Sequence, residues 1–192
     1  MTGLGYTVFD TPIGRCGIAW GPAGIIAIQL AADREIETRR LLLRQVPEAR
    51  ELEPPTEVAL AIDGLVTLLR GQPSDFSDVL LDIRNVSPFA RRVYDYTRTI
   101  LRGDTMTYNE VADRLKPQGA PHAVAQALSQ NPFPLIVPCH RVLEAGGYAD
   151  RMSANGGSIS KRRLLSIDGA AGKSSQTLFD VLLPVARPPL QG

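Results

Sequence analysis

Apolar and polar positions alternate along the first thirty residues and later settle into a helical period, and that change organises the chain. Tyr6, Val8 and Asp10 lead into Thr11-Pro12-Ile13-Gly14, a turn sequence, and Cys16-Gly17-Ile18-Ala19-Trp20 follows. Gly21-Pro22-Ala23-Gly24 marks a second turn ahead of Ile25-Ile26-Ala27-Ile28-Gln29-Leu30. Short apolar runs punctuated by Gly and Pro predict hairpin-linked strands. Residues 33–45 are charged and rich in Leu, which predicts an exposed helix. Glu53-Pro54-Pro55 breaks the chain before a second helix over about 58–69, closed by Gly71. A further strand is expected over about 79–83.

The period changes near Asn85-Val86-Ser87-Pro88. Proline suits the first turn of a helix, where its missing N–H is not needed. Phe89, Val93, Tyr96 and Ile100 then recur at helical spacing, with Arg91, Arg92 and Arg98 on other faces. Gly103-Asp104 ends that helix. Thr107 and Glu110 have the spacing of a capping box, opening a helix with Val111 and Leu115 on one face. Lys116-Pro117-Gln118-Gly119-Ala120-Pro121 forces a turn, and the helical pattern resumes at His122, with Val124 and Leu128 on the buried side. Two short helices joined by a tight turn have the outline of a helix-turn-helix, although many such pairs are purely structural. The expected fold is α+β. A small N-terminal mixed α/β domain with a β-sheet spans residues 1–84, and a helical C-terminal domain containing the helix-turn-helix spans 85–172. Residues 173–192 form a tail with no readable role.

Composition narrows the class. At 44% apolar residues the chain is an ordinary globular protein. No stretch approaches the roughly 18 uncharged apolar residues of a membrane span. The first ten residues lack the basic-then-apolar pattern of a secretory signal, so a cytoplasmic protein is expected. Two cysteines and two histidines, without CxxC or HxxxH spacing, suggest neither a disulfide framework nor a zinc centre, though ligands distant in sequence stay possible. The net charge of +1 hides an asymmetry. Residues 1–84 carry 8 basic and 12 acidic side chains, whereas residues 85–170 carry 11 and 7. The second half is the better face for a polyanion, although a chance difference between two solvated surfaces reads the same way.

The chemistry concentrates after the second short helix. Asn131-Pro132-Phe133-Pro134 cannot continue a helix. Leu135-Ile136-Val137-Pro138 reads as an apolar extended run delivering Cys139-His140-Arg141-Val142. A thiol at the end of a rigid buried segment, beside an imidazole, is a candidate nucleophile, because a neighbouring base favours the reactive thiolate. A buried, inert cysteine is the alternative.

Residues 131–142 as a whole resemble the active-site signature of the O6-alkylguanine-DNA alkyltransferase family. The resemblance takes in the preceding helical region, extends to Leu164-Leu165-Ser166-Ile167-Asp168-Gly169, and more weakly includes the strands around Thr11-Pro12-Ile13-Gly14. It implies a DNA repair protein, acting once and without a cofactor or metal, that moves an alkyl group from guanine O6 to Cys139. By the same resemblance His140 relays the thiol proton through water towards Asp168, which stands where the family has glutamate. Asn131 ties the helix-turn-helix to the active-site segment. The implied partner is double-stranded DNA containing O6-alkylguanine, bound through the minor groove with the base flipped out, by a monomer with no obligate protein partner. The residues it assigns to DNA and substrate are Tyr108, His122, Ala123, Pro134, Arg141, Val142, Asn155, Gly156 and Gly157, and Lys161 matches a family lysine.

The sequence departs from the family at several places. His122 stands where an intercalating arginine is usual, and it offers fewer donors and a less constant charge. Ala125 replaces a favoured glycine. The loop after Cys139 is about two residues longer, so Ala154 falls where an aromatic normally covers the base, and Tyr148 is a possible substitute. A homologue that binds the lesion without transferring the alkyl group is therefore a second reading. A Cys-His hydrolase or thiol transferase unrelated to DNA is a third, disfavoured because catalytic dyads usually join residues distant in sequence.

Overall fold

The computed structural model describes residues 3–116, 120–145, 155–157, 159 and 161–170. Three antiparallel strands follow the predicted alternation: β1 (Gly5–Thr11), β2 (Gly14–Gly21) and β3 (Gly24–Gln29). Both hairpins have two-residue loops, with Thr11 facing Gly14 and Gly21 facing Gly24 across the ladders. A helix, α1 (Glu35–Gln45), leads to the two-residue strand β4 (Arg50–Glu51), which pairs parallel with β1. The sheet order is β3-β2-β1-β4, so β3 is an edge.

The expected strand over 79–83 does not form. Leu81 makes one isolated bridge to Ile25, held by Ile25 N–H donating to Leu80 O at 2.9 Å and Asp82 N–H donating to Ile25 O at 2.7 Å. The reason lies farther along the same edge. The Ile28 amide donates to Pro132 O and the Leu30 amide to Asn155 O, so the donors a longer strand would need are already used.

The sheet has two covered faces. On one, α1 packs its buried Leu42 with Tyr6, Ala19, Ala27 and Val46. Gly17 allows this approach, since a Cβ there would lie 2.9 Å from a Leu42 methyl. On the other, Ile18, Trp20, Ile25 and Ile28 join a larger core with α2 (Thr56–Leu69). That core continues without a break into the second half of the chain, through Val93, Val111, Val124, Phe133, Cys139 and Leu164.

The second half is helical. In α3 (Pro88–Thr97), Ser87 caps the first turn by accepting from the Ala90 amide at 3.2 Å. The short strand β5 (Met106–Thr107) enters α4 (Tyr108–Arg114), whose capping box is complete: Thr107 Oγ1 accepts from Glu110 N–H and Glu110 accepts from Thr107 N–H. Next, α5 (Pro121–Ser129) packs on α3 and α4 through the predicted Val124 and Leu128. Residues 117–119, where a turn is expected, and the tail after 170 lie outside the described residues. After α5 come a single 3-10 turn at Cys139–Arg141, β6 (Val142–Leu143) parallel to β5, and α6 (Lys161–Asp168). Among the described residues no helix is long and apolar enough to cross a membrane.

Two leucines of α2 separate burial from composition. Leu65 is 1% exposed and Leu60 is 66% exposed. Leu65→Ala is expected to cost about 2–5 kcal/mol in denaturant unfolding, through lost transfer energy and the cavity left. Leu60→Ala should change stability by less than about 0.5 kcal/mol.

Candidate active site

The segment before Cys139 is a tight turn, which corrects the extended run expected for residues 135–138. Val137 N–H donates to Phe133 O at 2.8 Å, Pro134 bridges Val137, and Leu135 has a left-handed backbone with φ of 75°. Asn131, fully buried, closes the turn from inside. Its Oδ1 accepts from the Phe133 amide at 2.9 Å, and its Nδ2 donates to Val137 O at 2.9 Å. The side chain thus supplies backbone pairing that a segment with three prolines cannot supply itself.

Cys139 begins the 3-10 turn and is 2% exposed. His140 follows at 1%, and its Nε2 lies 2.9 Å from Asp168 Oδ2 at the end of α6. The same oxygen accepts from Arg141 Nε at 2.6 Å. Arg141 also donates to Ile100 O, and Arg102 Nε stands 4.0 Å from Asp168 Oδ1. Burial acts to raise the Asp168 pKa, but the hydrogen bonds from His140 and Arg141 outweigh it and bring the group down to about 2. Burial lowers the His140 pKa, against the pull of Asp168, and the charges of Arg141 and Lys161 lower it further.

These facts fix the imidazole. An ionised carboxylate only accepts, so the proton of neutral His140 sits on Nε2 and Nδ1 keeps a lone pair. Nδ1 is buried without a hydrogen-bond partner among the described residues. Asp168, one methylene shorter than a glutamate, still reaches His140 with its carboxylate.

A cleft of about 200 Å³ opens between the starts of α4 and α5 and the chain just after β6. It is lined by Tyr108, Asn109, Pro121, His122, Ala125, Glu144 and Ala145. Lys161, 4% exposed, bridges this region to the interior, donating to Tyr108 Oη at 2.9 Å and to Val142 O at 3.0 Å.

The model of the 6-O-methylguanine DNA methyltransferase DNA-binding domain matches residues 88–170. A methylated-DNA--protein-cysteine methyltransferase from Methanothermobacter thermautotrophicus is 36% identical over 161 residues, 83% of this chain and 82% of the relative. The chain belongs to the methylated-DNA--protein-cysteine methyltransferase family. The crystal structure of the O6-methylguanine methyltransferase of Mycobacterium tuberculosis superposes with a TM-score of 0.68 at 30% identity, covering 92% of this chain and 99% of that one. A structure of the same organism's OGT in complex with DNA matches at a TM-score of 0.64 and 28% identity, covering 86% and 93%.

Within this methyltransferase fold, Cys139, His140, Asp168 and Asn131 gather in one buried region, as the sequence grouped them. Tyr108 and His122 meet at the cleft, with exposed His122 followed by half-buried Ala123. Pro134 and Val142 are buried beside the thiol segment. Arg141, grouped with the DNA-contacting residues in the sequence, instead turns inward to Asp168 and is 8% exposed. Asn155 and Gly156 are buried, Asn155 against Gln29 and Leu30, and Gly157 has φ of 58°, with a Cβ there meeting the carbonyls of Leu30 and Ala31. Tyr148 and Ala154 lie outside the described residues. Tyr94 escaped the sequence reading. Burial and the nearby Cys139 push its phenol up to about 12, and its hydroxyl donates to Ala127 O at 3.0 Å. Its ring meets Phe133 edge-on, a tertiary contact that helical spacing does not reveal.

Both shifted groups weaken the fold in acid. His140 has a lowered folded pKa, so its contribution is complete above the unfolded value of about 6.5 and declines as pH falls below it. Asp168 adds a second loss below about 4, extending to its folded pKa of about 2. Denaturant unfolding between pH 8 and 3 should show stability falling in these two windows, and His140→Gln should remove the upper one.

Proposed function

We propose that this protein repairs alkylated DNA by direct transfer, carrying an alkyl group from guanine O6 to Cys139. The observation that carries the reading is the buried Cys139-His140 pair, with His140 held by Asp168 as a neutral base whose Nδ1 lone pair is uncommitted.

The Cys139 thiol gives its proton, through water, to His140 Nδ1, and Asp168 stabilises the imidazolium. The thiolate attacks the alkyl carbon in line: the S–C bond forms while the C–O6 bond breaks, and the electron pair leaves with the guanine oxygen. Protonation of the departing base completes the balance, and the thioether ends the protein's single turnover. No cofactor enters these steps.

A base stacked in duplex DNA is out of reach of so buried a thiol, so the target nucleotide is flipped. On this reading α4 and α5 are the helix-turn-helix, set in the minor groove. His122 fills the gap left in the stack, Ala123 approaches the backbone closely, and Tyr108 crowds the phosphate of the flipped nucleotide. Pro134, Val142, Asn155, Gly156 and Gly157 border the base, while Arg141 acts from behind through Asp168. The protein is taken to work as a cytoplasmic monomer on double-stranded DNA containing O6-alkylguanine.

Mixing the protein with a duplex containing O6-methylguanine should add one methyl to the intact mass, mapped to Cys139 and absent from Cys139→Ser. No gain, with an active family member working alongside, sinks the proposal in favour of a lesion-binding homologue. His140→Phe is expected to slow transfer by about 100-fold, the lower range for loss of a general base, when single-turnover rates are compared at saturating DNA.

A further inference from the structure

The outer edge of β3 grips the thiol segment on both sides, through Ile28 N–H to Pro132 O at 2.8 Å and Leu30 N–H to Asn155 O at 2.9 Å. Beside the second grip lies a polar cluster that the proposed chemistry does not use. Gln29 is 0% exposed within an otherwise apolar stretch. Burying its amide is unfavourable unless its groups are bonded, and an apolar residue would suit the strand better.

The bonds form a closed ring. Asn155 Nδ2 donates to Gln45 Oε1 at 2.8 Å. Gln45 Nε2 donates to Gln29 Oε1 at 3.4 Å. Gln29 Nε2 donates to the Asn155 carbonyl at 3.3 Å and to Leu30 O at 3.1 Å. Turning any one amide around sets donor against donor or acceptor against acceptor, so the three orientations fix one another. The ring joins the end of α1, the edge of β3 and a residue at the border of the candidate base pocket, 110 positions away from Gln45. Gly157 then packs so closely on Leu30 and Ala31 that no side chain fits.

We propose that Gln29 and Gln45 are positioning residues of the N-terminal half that hold Asn155, and with it the downstream wall of the base pocket, at the geometry transfer requires. The inference rests on the alkyl-transfer reading and deepens it. Misplacement of a reacting group by about 1 Å can cost up to two orders of magnitude in rate. The loss is expected on the chemical step, because the ring's hydrogen bonds run to one another and to Leu30 and none goes to α4 or α5.

The test compares wild type, Gln45→Ala, Gln29→Met and the double variant in two measurements. One is single-turnover methyl transfer at saturating O6-methylguanine duplex, with the duplex Kd measured separately. The other is hydrogen exchange at the Leu30 amide, whose bond to Asn155 O reports the grip directly. Gln45 is exposed, so its loss leaves the fold intact. Gln45→Ala is expected to slow saturating transfer by about tenfold, to leave Kd near the wild-type value, and to speed exchange at Leu30. The double variant should be no slower than the worse single, as members of one ring. An unchanged saturating rate beside an active wild type, or unchanged exchange at Leu30, overturns the proposal. A loss confined to Kd also overturns it. If the wild type itself transfers no methyl, the alkyl-transfer reading fails, and Leu30 exchange still decides whether the ring holds Asn155.

Discussion

One carboxylate oxygen, Oδ2 of Asp168, accepts from both His140 Nε2 and Arg141 Nε inside the protein, and the site depends on that sharing. A buried carboxylate is tolerated only when its partners replace the water it has lost. Here the partners are consecutive residues of the 3-10 turn, so the end of α6 and the thiol-bearing turn are locked to each other. The lock reaches outward through Arg141 to Ile100 O and through Arg102, which donates to Ile167 O and to Gly71 O at the end of α2. Removing the carboxylate would leave a buried guanidinium without its counter-charge and an imidazole free to turn.

The second constraint is the path into Cys139. Three prolines within seven residues deprive the segment of amide donors, and Asn131 makes up the deficit with one side chain used at both ends. The outer edge of β3 then fixes the segment's position. Pro132 O accepts from it before the thiol and Asn155 O after it, so the N-terminal sheet works as a frame for a site it does not chemically join. An edge strand is a hazard when left open, and this one is occupied by the chain's own functional segment.

The same facts explain what the sequence revealed and what it withheld. Strands β1 to β3 were legible because alternation and Gly-Pro turns are local signals, and the capping box at Thr107 because its partners are three residues apart. The absent strand over 79–83 and the turn at 133–137 were not legible. One was decided by carbonyls from residues 132 and 155 competing for the same edge, the other by the inward-facing amide of Asn131. The resemblance groups Arg141 with the DNA contacts, whereas its bond to Asp168, 27 positions away, is a tertiary contact that no local pattern reveals. Gln29 did leave a trace, as an amide between Ile28 and Leu30 in an apolar run, but its partners lie 16 and 126 positions away.

The central claim is that Asp168 holds His140 as a neutral imidazole protonated on Nε2, leaving Nδ1 as the base. Nitrogen-15 NMR of the His140 ring, between pH 7 and 8, measures this directly. The structure predicts a protonated Nε2 and an unprotonated Nδ1 throughout that range, with the Nε2 proton lost from its hydrogen bond in Asp168→Ala. An Nδ1-protonated tautomer, or an imidazolium at pH 7, would contradict it.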